Sequence, residues 1–306
     1  MPLRPWIVES ASIVALLLLG TGCDTTGSSG AGDPARWADA RPGSAVEWAD
    51  LVERQAARLD ALSRFSSAGS LVLRHDPEAD GRFETERADH RLWRVAPDKA
   101  AVRLSIAGST GARVGWNDDT WWILDERAAP PRLRIIDLPG RGASIDDGDG
   151  FLPPPVLLAV VGLLEFPTAA PDDFEVAGER MRFSLPGSRD VGQVVRVELE
   201  RPRQGPSGVR ILGEDGAVLL ESSMSRFKPV ETLGAPPGAW PDLAHRIEVV
   251  RPGGEGLVIT FDRPLAQGRI SDRLFDLGAI IERSSPVIVD GDGPAGLPRL
   301  EPGDRE

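Results

Sequence analysis

Apolar residues recur at helical spacing at the start of the folded region. From Ser44 to about Ser63 they fall every third or fourth position, which is the period of one face of an α-helix. The apolar positions of this predicted helix are Trp48, Leu51, Val52, Leu59 and Leu62. Ser44 and Glu47 match the capping box that begins many helices. A helix with one apolar face must lie on another apolar surface, so we expect it to cover a sheet or a second helix.

After this helix the apolar positions follow the period of two that is typical of strands. In the segment 101–106, for example, Val102, Leu104 and Ile106 fall on one face and Arg103 on the other. The same reading predicts about ten or eleven antiparallel strands. The candidate segments number twelve, and they are 67–75, 83–95, 101–106, 112–116, 120–125, 133–138, 180–185, 191–201, 208–212, 217–222, 245–251 and 257–262.

A second apolar segment interrupts the strands. Pro153, Pro154 and Pro155 precede the nine-residue run 156–164. Nine residues are too few to span a bilayer, and proline is favoured in the first turn of a helix. We therefore predict a short buried helix here, and one further helical turn over 272–277.

These elements predict a mostly β, α+β fold. A single antiparallel sheet of this length must curl to bury one face, so we expect a half-open β-barrel. The N-terminal helix and the short central helix are expected to cover its concave face. The predicted domain spans 44–285, between a flexible tether over 23–43 and a loose C-terminal tail over 286–306.

The first 23 residues carry an export signal. Arg4 is followed by the short apolar run 11–19 and by small residues up to Cys23. This order resembles the lipobox of bacterial lipoproteins, whose leader (here 1–22) is removed and whose cysteine receives acyl chains such as palmitate. The resemblance implies lipidation of Cys23. An ordinary cleaved signal peptide with an incidental cysteine remains the alternative.

The composition argues against two classes of binding partner, nucleic acids and anionic lipid headgroups. The formal net charge is −12, which argues against nucleic acid, because phosphate binding requires a basic face. It also argues against electrostatic attraction to anionic headgroups, so membrane contact is expected through the lipid on Cys23. Cys23 is the only cysteine, which excludes an internal disulfide and a thiolate metal site.

Two segments carry a resemblance to a known family. One is Ala96–Ile106, which begins Ala-Pro-Asp-Lys, and the other is Trp116–Asp125, which contains Asn-Asp-Asp-Thr-Trp-Trp. With the proline-led helix entry at 151–158, they resemble the lipoprotein-sorting factors of the Lol system, in particular the membrane-anchored receptor. The resemblance implies a half-open β-barrel with helices in its concavity and no catalytic centre. From about Asp172 on, the chain offers no obvious loop with an exposed apolar residue of the kind that receptors insert into membranes.

Candidate catalytic and metal-binding groups are sparse. The three histidines, His75, His90 and His245, are not at metal spacing, although His75 and His90 flank one predicted hairpin. The Asp/Gly clusters at 146–150 and 290–293 are most simply solvated turns, with calcium as the alternative. No phosphate loop, nucleophile elbow or dinucleotide fingerprint is present. We therefore predict no enzyme, no metal and no cofactor.

The apolar strand and helix residues have two interpretations. They form either a packed core or the lining of a cavity for the acyl chains of a lipid or lipoprotein. The candidate lining residues are Leu51, Leu59, Leu62, Val102, Leu104, Ile106, Trp122, Leu124, Ile135, Val156, Leu157 and Val160.

If these residues line a cavity, we expect a non-catalytic periplasmic protein that handles lipids or sorts lipoproteins in the cell envelope. It would be anchored in the inner or the outer membrane. The packed core predicts a structural lipoprotein that binds a protein partner of an envelope complex. An envelope hydrolase is the third hypothesis.

Overall fold

The helices lie on both sides of one large sheet. A computed structural model describes residues 34–76, 81–106, 109–117, 120–137, 154–186, 194–200 and 205–288. Its helices are α1 (Ala45–Ala61), α2 (Pro154–Val160) and α3 (Leu277–Ser284). None of the helices in these residues is long and apolar enough to cross a membrane.

Helix α1 begins where the sequence predicts. The Glu47 backbone N–H donates to Ser44 Oγ at 3.3 Å, and the Ser44 backbone N–H donates to Glu47 Oε2 at 2.9 Å. This reciprocal capping box satisfies donors that the first helical turn leaves without partners.

The described strands form a single 17-stranded sheet. The first nine strands are β1 (Arg41–Pro42), β2 (Arg64–His75), β3 (Glu84–Val95), β4 (Lys99–Ile106), β5 (Ser109–Asn117), β6 (Thr120–Asp125), β7 (Arg132–Asp137), β8 (Glu175–Ala177) and β9 (Arg180–Pro186). The others are β10 (Val194–Leu199), β11 (Gly208–Leu212), β12 (Val218–Pro229), β13 (Glu231–Thr232), β14 (Asp242–Val250), β15 (Gly256–Phe261), β16 (Leu265–Ala266) and β17 (Val287–Ile288).

The sheet is open. Its pairings run in the order β1-β8-β9-β10-β11-β12-β14-β15-β2-β3-β4-β5-β6-β7-β17, with β16 beside β2 and β13 beside β16. All pairings are antiparallel except β13 with β16 and β7 with β17. The predicted curled sheet with helices, a half-open barrel, is thereby confirmed.

One connection crosses the whole sheet. Strands β7 and β8 follow each other in sequence but lie near opposite ends of the strand order. The chain between them contains α2, which packs against both halves of the concave face. Leu157 and Leu158 contact a core formed by β2, β11, β12, β14 and β15 and also a core formed by β4, β5 and β6.

The concave face also receives α1. Trp48 and Leu51 are buried against Phe183 and Val197 of β9 and β10. The Trp48 ring makes edge-to-face contacts with Phe174 and Phe183 at centroid distances of 5.0 and 4.8 Å. Because these aromatic rings fill the space between α1 and the sheet, this end of the concavity is packed.

Helix α3 covers the opposite, convex face. Ile280 is buried against Trp122, Leu124, Leu133 and Ile135 of β6 and β7. The sequence predicts only a helical turn over 272–277. The structure instead has a 3₁₀ turn at Asp272–Leu274, after which α3 begins.

The segment before α1 packs on the domain from Pro34 onward. Pro34–Trp37 forms a 3₁₀ turn, Trp37 is buried, and Arg41 of β1 pairs with Val176 of β8. This part of the predicted tether is therefore part of the folded sheet. Cys23, the Asp/Gly clusters at 146–150 and 290–293, and the Val156 side chain lie outside what the structure describes.

Candidate functional site: a concave apolar patch

The concave face keeps a group of half-exposed apolar side chains on β3, β4, β15 and α2. Leu92 and Val102 are cross-strand partners on β3 and β4. Leu257 and Ile259 lie on β15, which flanks the other edge of β2. We call these four residues, with Leu157 and Leu158 of α2, the concave patch. Each packs against the core yet remains partly accessible to water.

The predicted lining residues on this face differ in how deeply they are buried. Leu51, Leu62, Leu104 and Val160 are 0–1% exposed. They are therefore core side chains. Leu59, Val102, Ile106 and Leu157 are half-buried. Only the half-buried set is near enough to the surface to meet a ligand without repacking the core.

Trp122, Leu124 and Ile135 do not share this face. Successive residues of a strand point to opposite sides, and these three side chains pack beneath Ile280 of α3 on the convex face. The prediction that Trp122, Leu124 and Ile135 belong to the concave lining is therefore wrong.

The residues of β6 that do face α2 are Trp121 and Ile123, which pack with Val114, Leu157 and Leu158. Sequence alone does not separate the two sets, because every residue from Trp121 to Leu124 is apolar.

Buried polar side chains hold the chain segment that follows α2. Arg58 of α1 donates from Nη1 to the Gly162 carbonyl at 2.8 Å. Gln55 donates from Nε2 to the Leu164 carbonyl at 2.8 Å. From the sheet side, Ser222 Oγ donates to the Val160 carbonyl at 2.6 Å. The Val160 carbonyl is one of those that a helix C-terminus leaves without an intrahelical partner, and the Gly162 and Leu164 carbonyls lie just beyond the helix. Together the three bonds hold the chain at the C-terminal end of α2.

Two of the buried groups are arginines. Burial lowers the pKa of Arg58 to about 10, although Asp242 raises it and Arg94 lowers it further. Arg94 is 6% exposed and donates from Nη1 to the carbonyl of Leu62, the C-cap of α1, at 3.1 Å. Burial also lowers the pKa of Arg94, while Glu165 raises it. Sequence reasoning missed both arginines, since each lies among other charged residues and has no pattern that marks it as buried.

The histidines do not form a site. Gly69 pairs with His90, and His75 pairs with Glu84, so the two histidines lie six register positions apart along the β2–β3 hairpin. At about 3.3 Å per residue that separation is about 20 Å, so these two side chains do not approach each other although they lie on one hairpin. His75 Nε2 lies 3.3 Å from Glu86 Oε1, and His90 Nε2 lies 3.0 Å from the Thr260 carbonyl. Within the described residues, no group of three or more His, Cys, Asp or Glu side chains is placed to hold a metal ion.

An exposed apolar loop residue lies in the described part of the C-terminal half. Leu233, between β13 and β14, is 51% exposed. It follows Thr232 and precedes a Gly- and Pro-rich turn that ends at Trp240, whose indole Nε1–H donates to the Ala235 carbonyl at 3.1 Å. The expectation that this half lacks such a loop is wrong.

This architecture also occurs in a solved structure. Neither a protein-family model nor a curated protein sequence matches the chain. A DUF1329 family protein from Desulfovibrio piger superposes with a TM-score of 0.51 at 14% identity, over 77% of this chain and 98% of that chain. The Desulfovibrio piger protein and the chain described here therefore have the same overall fold.

Two further structures are more distant. A LolA superfamily protein from Nitrosomonas europaea gives a TM-score of 0.46 at 14% identity, over 75% of this chain and 97% of that chain. An outer membrane lipoprotein-sorting protein domain from Vibrio parahaemolyticus gives 0.48 at 12% identity, over 78% and 99%. The likeness to the solved structures concerns the fold alone.

Proposed function

We propose that this protein is a non-catalytic lipoprotein of the cell envelope that binds an acyl chain of a lipid or lipoprotein on the concave patch. The observation that carries the proposal is the half-exposure of Leu92, Val102, Leu257 and Ile259 on the concave face of the sheet. The activity follows from this chemistry: the protein carries or sorts lipids or lipoproteins in the periplasm and breaks no bond.

Apolar side chains are sufficient for such a role. A sixteen-carbon chain gains about 12 kcal/mol on leaving water, at ~0.8 kcal/mol per CH₂. A carrier must return most of that free energy to compete with a bilayer. An apolar groove does so through buried area, and a few polar groups serve to orient the ligand rather than to hold it.

Helix α2 is the element that opens or closes the patch in this proposal. Its C-terminal end is held by Arg58, Gln55 and Ser222, whereas Leu157 and Leu158 near its start rest on the two halves of the sheet. An acyl chain that enters between α2 and β15 displaces these two leucines and leaves the hydrogen bonds from Arg58, Gln55 and Ser222 intact.

The proposed location rests on the amino terminus. Cleavage before Cys23 and acylation of that cysteine anchor the domain on the periplasmic face of a membrane. Two or three acyl chains are needed for lasting attachment, because one chain gives only marginal binding. Metabolic labelling with an alkyne-modified palmitate, compared between the full chain and its Cys23→Ala variant, tests the anchor separately from the patch.

The patch is tested with two isosteric substitutions that differ in the face they modify. Val102→Thr places a hydroxyl on the concave patch, and Val258→Thr places one on the convex side of β15. Both valines are half-buried. Burying a hydroxyl without a partner costs about 1–2 kcal/mol, so we expect Val102→Thr to weaken uptake of a fluorescent fatty acid about tenfold and Val258→Thr to leave it within twofold.

Native mass spectrometry of the gently purified protein provides the second measurement. A co-purified lipid on the parent chain, reduced in Val102→Thr, supports the proposal. No bound lipid and no uptake of the fluorescent fatty acid by the parent chain contradict it. Equal uptake by both threonine variants assigns binding to another surface.

A second function is favoured by the packed end of the concavity. The rings of Trp48, Phe166, Phe174 and Phe183 fill the space between α1 and β9. If the whole interior is packed in this way and leaves no space for a ligand, the protein is a structural envelope lipoprotein that acts through its surface. A parent chain that excludes every lipid probe favours this alternative.

A further inference from the structure

Arg94 is a buried positive charge on the concave face. It follows Leu92 of the concave patch by two residues on β3, so both side chains lie on the same side of the sheet. Its cross-strand partners are Phe65 of β2 and Ala100 of β4, and the residue is 6% exposed. A charge in such a position is costly unless a partner compensates it, so the contacts of this guanidinium indicate whether a partner is missing.

One edge of the Arg94 guanidinium has no partner among the described residues. Within that part of the chain its single hydrogen bond runs from Nη1 to the Leu62 carbonyl at 3.1 Å, and it forms no ion pair. Its Nε is fully enclosed and makes no hydrogen bond. Glu165 acts on Arg94 only from beyond ion-pair distance. The N–H groups of Nε and Nη2 therefore remain free to donate to a ligand.

The free edge has the geometry that binds acidic groups. In an arginine side chain Nη1 lies on the side of Cδ, so the N–H bonds of Nε and Nη2 point in parallel from the opposite edge. Their spacing matches two oxygens of one carboxylate or phosphate. A neutral ester offers only one strong acceptor, its carbonyl oxygen, and does not fill both positions.

The second buried arginine does not offer this edge. Arg58 donates from Nε to the Asp242 carbonyl at 2.9 Å and from Nη1 to the Gly162 carbonyl at 2.8 Å. Because its Nε is occupied, Arg58 holds backbone and has no pair of parallel donors left. The two arginines of the concave side therefore differ in role.

Arg94 adjoins the concave patch. Its cross-strand partner Phe65 belongs to the core that Leu157 and Leu158 of α2 contact from one side. Its other partner, Ala100, belongs to the core that the same two leucines contact from the other side. An acyl chain that lies on the patch and displaces these leucines can therefore place its head group beside the guanidinium.

We propose that the acyl ligand of the concave patch has an acidic head group, a carboxylate or a phosphate, which the Nε and Nη2 groups of Arg94 bind. The inference rests on the proposed function, because it names the ligand class for the same patch. The contact compensates a charge that is otherwise buried without an ion pair. It also provides a selectivity that apolar side chains cannot, since acids and esters have the same hydrocarbon tail.

The test measures head-group selectivity at pH 8, where carboxyl groups are ionised. The full chain is loaded with Nile red, a neutral dye, and lauric acid, methyl laurate and dodecyl phosphate compete for the patch. These three probes share a twelve-carbon chain and differ in the head group. Arg94→Gln removes the charge and the pair of parallel donors. Arg87→Gln, exposed on the convex side of the same strand, is the control.

We expect the parent chain to bind lauric acid more tightly than methyl laurate. Hydrogen bonds between ionised partners are the strong class, so the ratio of the two Kd values should shift about 20-fold toward the ester in Arg94→Gln. In Arg87→Gln the ratio should stay within about twofold of the parent value. Because each ratio compares two probes on one protein, a general loss of folded protein does not change it.

An unchanged ratio in Arg94→Gln, or a parent chain that binds methyl laurate more tightly than lauric acid, overturns the proposal. Among the supporting outcomes, strongest competition by dodecyl phosphate identifies a phosphate head group, and strongest competition by lauric acid identifies a carboxylate.

The failure of this inference is distinguishable from failure of the proposed function. If Val102→Thr weakens all three probes while their ratios do not depend on Arg94, the patch binds acyl chains and only the head-group assignment is wrong. If none of the three probes competes with the dye, the proposed function is contradicted, and this inference with it.

Discussion

Arg58 Nη1 donates to the carbonyl oxygen of Gly162 at 2.8 Å, and this contact joins α1 to the chain just beyond α2. The same side chain donates from Nε to the Asp242 carbonyl at 2.9 Å at the start of β14. One buried guanidinium thus connects both concave helices to the sheet. Gly205 comes close enough that a Cβ there would lie 2.9 Å from Arg58 Cζ, so a side chain at position 205 would press against the guanidinium.

Arg58→Ala removes both donors at once. The Gly162 and Asp242 carbonyls then lose their side-chain partners in a buried environment, at about 1–3 kcal/mol for each. We expect the free energy of unfolding in urea to fall by about 3 kcal/mol. Arg54→Ala, one turn earlier on the exposed face of α1, is expected to change it by less than about 0.5 kcal/mol. Similar losses of unfolding free energy in the two variants would contradict the stabilising role of the Arg58 hydrogen bonds.

Gly69 is required where β2 meets β15. A Cβ at this position would lie 1.7 Å from the Thr260 carbonyl oxygen and 2.9 Å from His90 Nε2. Because the first of these atoms is backbone, the strands must separate. We expect Gly69→Ala to lower the free energy of unfolding by about 3 kcal/mol, the upper part of the range for overpacking.

Gly208→Ala on β11 is the control, since its Cβ would meet only ordinary contacts at 3.7 and 3.8 Å. Denaturant unfolding followed by tryptophan fluorescence measures both. A Gly69→Ala protein as stable as Gly208→Ala would mean that β15 does not approach β2 as described.

His90 makes stability depend on pH. Burial lowers its pKa below the ordinary value, against smaller raising effects from the Thr260 carbonyl and from Asp262 and Asp89. The unfolded chain therefore binds a proton below about pH 6.5 while the folded chain stays neutral at this position. Stability is full above pH 6.5 and is lost as the pH falls toward the lowered pKa.

Measurement of the free energy of unfolding between pH 7.5 and 5.5 tests this dependence. Replacement of His90 by Gln should reduce the slope. Burial also lowers the pKa of His245, and Lys228 lowers it further, so the residual slope should fall again in the variant with both histidines replaced. An unchanged slope after His90→Gln rejects the assignment.

Ile280 connects α3 to the convex face. It is 1% exposed and packs against Trp122, Leu124 and Ile135. Truncation of a buried isoleucine to alanine costs about 2–5 kcal/mol, so Ile280→Ala is expected to lower the unfolding free energy within that range. Glu282→Ala, on the exposed side of the same helix, should change it by less than about 0.5 kcal/mol. A small effect at Ile280 would place α3 outside the cooperative fold.

Much of the fold follows from local pattern. Alternation at Val102, Leu104 and Ile106 identifies β4, and the capping pair Ser44 and Glu47 identifies the start of α1. These signals act over a few residues, where backbone geometry fixes which side chains share a face. Helix α3 is missed because its eight residues (LGAIIERS) provide only two turns of apolar period, too few to stand out beside the preceding turn.

The candidate site is predictable only in part. Val102, Ile106 and Leu157 are found near the surface of the concave face, but Leu51, Leu62, Leu104 and Val160 are buried core residues. Depth depends on what the rest of the chain places above a side chain. Sequence periodicity contains no information about that cover.

By itself the sequence determined the element types, the curled antiparallel sheet and the apolar character of one face, since these follow from side-chain period and from the need to bury apolar area. Only the tertiary structure decided that β7 and β8 lie near opposite ends of the sheet, that Trp121 faces α2 while Trp122 faces α3, and that Leu104 is buried while Val102 stays half-exposed. Each of these depends on contacts between residues far apart in the chain, and their free energies are settled only when the whole sheet assembles.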